Sequence, residues 1–136
     1  MRTTLGVLVA GLGLFGLSVT AVAHHGFDTE YDAKKKVALA GVVTKVEWLN
    51  PHMRVYIDVT DASGKVIPWN LEMTSPNSVV RQGWGKNSLL PGDKVTFTGY
   101  GGKIVETRGS LLSIKKLDDG RELFIAGGPE GENSPK

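Results

Sequence analysis

The chain has 136 residues, enough for one domain, with 16 Lys+Arg against 14 Asp+Glu and no cysteine. Without cysteine there are no disulfides, no thiol catalysis, no zinc–thiolate site and no iron–sulfur cluster. The nearly even charge balance argues against a nucleic-acid partner and against an anionic-membrane binder.

The first 23 residues read as a secretion signal. Arg2 gives the positive start, Leu5 to Val22 is apolar and uncharged, and Ala21-Val22-Ala23 ends it with the small-x-small pattern of a cleavage site. An apolar stretch of about 18 residues is just long enough to span a bilayer. Gly6, Gly11, Gly13 and Gly16, together with the lack of basic residues right after the stretch, favour cleavage over anchoring. The expected product is a periplasmic protein with no stable membrane anchor. Losing Arg2 leaves 15 basic against 14 acidic residues, a formal +1. Cleavage after Ala23 makes His24 the first residue; cleavage after Ala21 leaves Val22-Ala23-His24-His25.

Residues 24–36 are polar and end in Lys34-Lys35-Lys36, which predicts an N-terminal arm. Val37 to Trp48 is apolar and β-branched. Leu39, Gly41 and Val43 share one face, and Val46 and Trp48 keep that face only if the parity slips near Thr44-Lys45, as in a β-bulge. Met53, Val55, Ile57 and Val59 alternate with Arg54, Tyr56, Asp58 and Thr60 as a half-buried strand. Asp61 to Gly64 is a hairpin turn. A third strand puts Ile67, Trp69, Leu71 and Met73 inward and Asn70 and Glu72 outward, with Pro68 marking an edge or a bulge.

Ser75-Pro76 opens a short helix, Ser75 as N-cap, with Val79 and Val80 facing the core and Gly83 as its stop. Pro91-Gly92-Asp93 turns into a fourth strand, Lys94 to Tyr100, and Gly101-Gly102 is expected to reverse the chain. A fifth strand covers Ser110 to Leu117, Asp118-Asp119-Gly120 turns again, and Arg121 to Ala126 forms a last short strand. Gly127 to Lys136 has nothing to bury and reads as a disordered tail. Three strands, a short helix, then two strands and a short extra is the plan of a small OB-like closed barrel, all-β, over residues 37–126.

The three histidines carry the most local information. A first-residue His24 offers its amine and ring nitrogen to one metal, and His25 and His52 can add imidazoles, a nitrogen set that suits copper(II). His-His also serves as a plain contact of the arm with the barrel. Asn50-Pro51-His52 lies between the first two strands, either as a simple turn or as a ligand site at the barrel mouth. Trp48 and Trp69 face the core by parity. Trp84, after the helix, either plugs one end of the barrel or lines a pocket. Glu72 points outward beside Asn70. No acid–base pair, nucleophile elbow, phosphate loop or metalloprotease helix is present, so a binding role is favoured over a catalytic one.

The motifs Ala23-His24-His25-Gly26-Phe27, Leu39-x-Gly41-x-Val43, Asn50-Pro51-His52, Asp61 to Gly64 and Trp69-x-x-Glu72-x-x-Ser75-Pro76 run along the chain. Gly83-Trp84, Ser88-Leu89-x-Pro91-Gly92-Asp93-x-Val95 and Asp119-Gly120-Arg121 follow. Together they resemble the domain-of-unknown-function family 6152, small exported bacterial proteins. The resemblance implies export and a small domain; it assigns no activity and no catalytic residue. Gly26 departs from the pattern, which more usually has serine there.

The expectation is thus an exported binding module whose site joins the N-terminal histidines to the Asn50-Pro51-His52 turn. Its ligand residues would be Asn50, His52, Glu72 and Trp84, and its metal ligands His24, His25 and His52. The alternative is a structural or protein-interaction module of the cell envelope with no small ligand.

Overall fold

The computed structural model describes residues 22–124, with side chains described from Gly26 to Leu123. In chain order the elements are α1 (Val22–Glu30), β1 (Tyr31–Glu47), β2 (Arg54–Thr60), β3 (Val66–Glu72), α2 (Pro76–Arg81), β4 (Lys94–Gly102), β5 (Arg108–Lys116) and β6 (Glu122–Phe124). The sheet order is β3-β2-β1-β4-β5-β6, and a further β3–β5 pairing links its two halves. Five strands are therefore bonded in a ring, an OB-like closed barrel.

β1 makes the closure possible. Lys36 to Val42 pair with β4, and Val42 to Glu47 pair with β2. The register slips between Val43 and Lys45, the bulge expected from the sequence, so Val43 and Val46 both face inward. The ring shuts where Asn70, Leu71 and Glu72 run parallel to Arg108, Gly109 and Ser110. Inside lie Val55, Ile57, Leu71, Val95, Phe97, Leu111 and Ile114, with Trp69 edge-on to Phe97 at 6.0 Å. Trp48 is only partly buried but packs on this core. Removing so much apolar side-chain area from water is the main term holding a cysteine-free barrel together.

Four local expectations need correction. The first strand does not wait for Val37: residues 24–30 of the N-terminal arm are helix, and strand runs from Tyr31. Charged side chains hide the start of the strand, because only the backbone of Lys36 and its neighbours is needed to pair with β4. Val80 is 57% exposed, whereas Val79 is buried. A two-turn helix offers one narrow stripe to the core, and adjacent residues point about 100° apart. Gly101 and Gly102 stay in β4, and the reversal comes at Lys103–Thr107. A Cβ on Gly102 would sit 2.2 Å from the Val105 carbonyl oxygen, so this glycine lets the loop fold back onto the strand. Strand β5 also starts two residues early, at Arg108. The helix start is as expected: the Ser75 hydroxyl accepts from the Ser78 N–H.

Candidate functional site

The Asn50-Pro51-His52 turn joins β1 to β2 through a cis Asn50–Pro51 peptide. Two backbone bonds extend the β2–β3 ladder just beyond it, Met53 N–H to Thr74 O and Met73 N–H to Met53 O. Both methionines point into the core, so the turn is stapled to the end of β3 and His52 projects outward. Its Nδ1 lies 3.2 Å from the Met73 carbonyl oxygen, and its side chain is 54% exposed. In the tautomer that donates from Nδ1 to that carbonyl, Nε2 is a free lone pair facing solvent. A hydrogen bond from one ring nitrogen to a backbone carbonyl orients histidines that bind metals through the other.

Glu72 stands next to His52, its Oε1 3.8 Å from Nδ1. It is not simply solvated. Its Oε2 accepts from Arg54 Nη2 at 3.0 Å and from the Tyr31 hydroxyl at 2.8 Å. Arg54 Nη1 donates to Asn70 Oδ1 at 3.0 Å. Arg54 and Glu72 are directly opposite across β2 and β3, so the pair is held by the ladder itself. Their side chains are 18% and 23% exposed. Alongside, Tyr56 donates to Glu47, whose carboxyl is held below its ordinary range by hydrogen bonds from Lys45 and Tyr56.

Tyr31 comes from the far end of β1 and crosses the outside of the barrel. Phe27 of α1 lies 5.5 Å from its ring and meets Tyr100 edge-on at 5.4 Å. Tyr31 and Tyr100 are buried yet stand apart from the interior core cluster. They form a second, smaller aromatic cluster on the outer face. Burial first, and then the Glu72 carboxylate, push the Tyr31 phenol well above its ordinary value, so it stays a donor.

The expected site residues divide accordingly. His52 and Glu72 come together, and Asn50 is exposed on the same turn. Trp84 does not join them. It is 6% exposed, belongs to the core cluster, and has the Arg121 guanidinium 5.5 Å over its ring, so it plugs the barrel. The side chains of His24 and His25 lie outside the described residues. Among the described residues, no group of three or more His, Cys, Asp or Glu is placed to hold a metal. His52 and Glu72 would need the N-terminal imidazoles to complete one.

Sequence reasoning missed Arg54 and Tyr31. Arg54 was partly within reach: alternation turns it outward like Glu72, but a register counted back from an Asp61–Gly64 turn puts it opposite Leu71, one residue short of the observed Arg54–Glu72 pair. Tyr31 was not, since 41 positions separate it from Glu72.

Residues 12–111 match the Family of unknown function (DUF6152). The chain belongs to this family. Within the DUF6152 match fall every described site residue above and the strands that position them. No curated protein and no solved structure matches the chain at a significant level.

Proposed function

We propose that this DUF6152 protein is an exported, periplasmic β-barrel binding module. Its site would lie where the N-terminal segment meets the Asn50-Pro51-His52 turn, with copper(II) as the leading occupant and another small ligand as the alternative. One observation carries this reading: the Tyr31–Glu72 hydrogen bond and the Glu72–His52 contact link the chain's two histidine-bearing regions. His52 would give Nε2, and His24 and His25 the remaining nitrogen donors. Arg54 beside Glu72 disfavours a cation at Oε2, so Glu72 serves as support for the site more than as its ligand.

Titration of copper(II) into protein recovered from the envelope tests this, with electron paramagnetic resonance as the readout. His52→Ala should weaken binding at least about tenfold, the equivalent of ~1.4 kcal/mol, and should change the nitrogen hyperfine pattern. Identical spectra and affinities for variant and wild type would rule out a folded site.

A protein-interaction role has its own support. Ile104 is 97% exposed at the tip of the β4–β5 loop, beside a groove of about 360 Å³ lined in part by Tyr31, Val105 and Arg108. Crosslinking in the envelope fraction that recovers one partner through this loop, with no copper effect of His52→Ala, would favour that reading.

A further inference from the structure

Three contacts tie α1 and the start of β1 to the outside of the barrel. Phe27 packs on Tyr100, the Lys103 N–H donates to the Glu30 carbonyl at 3.0 Å, and the Tyr31 hydroxyl donates to Glu72. The Lys103 ammonium also reaches the Asp28 carbonyl. The helix itself has nine residues, too few to persist in water without tertiary support. Cleavage after Ala23 would leave still fewer.

We propose that residues 26–31 act as a strap, latched over the outer face of the barrel by the Tyr31–Glu72 hydrogen bond. Closed, the strap buries the Tyr100 ring and shields the Arg54–Glu72 pair. Open, it uncovers an aromatic ring beside a guanidinium–carboxylate pair and withdraws the Tyr31 hydroxyl from Glu72, the neighbour of His52. The latch is local. Tyr31 and Phe27 lie outside the interior core, so release of the strap leaves the closed ring of strands intact.

The strap does not depend on the identity of the ligand, and it is tested without metal. Amide hydrogen exchange is followed on the full chain as recovered from the envelope, for wild type, Tyr31→Phe and Phe27→Ala. Tyr31→Phe keeps the ring and removes only the hydroxyl. Exchange over residues 26–31 should quicken about tenfold, as loss of one charge-assisted hydrogen bond implies, and in wild type and variants alike it should stay faster, and less dependent on urea, than exchange in β2 and β3. Phe27→Ala should loosen the same segment from its other side. Unchanged exchange of the strap in both variants would overturn the proposal. So would strap amides that exchange with the same free energy and urea dependence as β2 and β3, which would make the strap part of the globally unfolding unit. If the strap responds as expected but His52→Ala leaves copper binding unaltered, only the ligand reading falls.

Discussion

Replacing Tyr31 by phenylalanine leaves Glu72 with Arg54 as its remaining close donor, and a hydrogen bond to a charged acceptor is worth about 1.5–3 kcal/mol. With Glu72 still partly wet, the lower end of that range is the expected loss at neutral pH. The same residue sets an alkaline limb. Its neutral form is favoured in the fold, so its stabilisation is complete below the ordinary tyrosine value of about 10 and drains away as the pH climbs toward the raised one. Urea midpoints measured from neutral pH to about 11.5 should fall more steeply in wild type than in Tyr31→Phe. Parallel curves would show that the phenol does not titrate differently in the folded state. At this scale the sequence shows Glu72 as an outward carboxylate and candidate ligand residue, with no partner assigned to it. Its partners come from β2 and from the first residue of β1: alternation puts Arg54 on the same outer face but does not pair it with Glu72, and nothing local points to Tyr31.

Among the elements, β1 is the one on which closure depends, and Gly41 is its critical position. A Cβ there would lie 2.4 Å from the Asp58 carbonyl oxygen and 2.6 Å from Ile57 Cγ2. One of these is backbone in the paired strand β2, so it cannot move aside cheaply. Gly41→Ala should cost about 2–3 kcal/mol by overpacking, read as a lower midpoint in chemical denaturation. A cost below about 0.5 kcal/mol would mean the two strands separate more easily than their pairing suggests. The bulge two residues on was readable from the sequence, because hydrophobic parity survives in Val43, Val46 and Trp48. The first six residues of the same strand were not, since lysines on an outer face carry no such period. Helix α2 shows the opposite case: its cap was legible in Ser75-Pro76, yet the two valines could not be told apart until the core had a direction.

For the whole molecule, the ring of strands rests on pairings between distant positions. Tyr31 meets Gly102, Val37 meets Gly99, and Asn70 meets Arg108. Loop closure must precede the reward from such contacts, so folding should take milliseconds to seconds, slower than helical domains of this size. Stopped-flow fluorescence of the buried tryptophans Trp69 and Trp84 would report it. A microsecond phase carrying the full amplitude would contradict the closed barrel.

Composition, parity and turn chemistry were enough to establish a cysteine-free β domain, its bulged first strand, its capped helix and the outward stance of Glu72. These are local properties, written in periods of two and in residues that tolerate few backbone shapes. Only the tertiary structure decided that Trp84 is a plug, that Arg54 and Tyr31 converge on Glu72, and that the segment ahead of Lys36 crosses the barrel's outer wall. Those contacts arise from closing the ring. A one-dimensional pattern holds no distance between residues that meet only when the ring is shut.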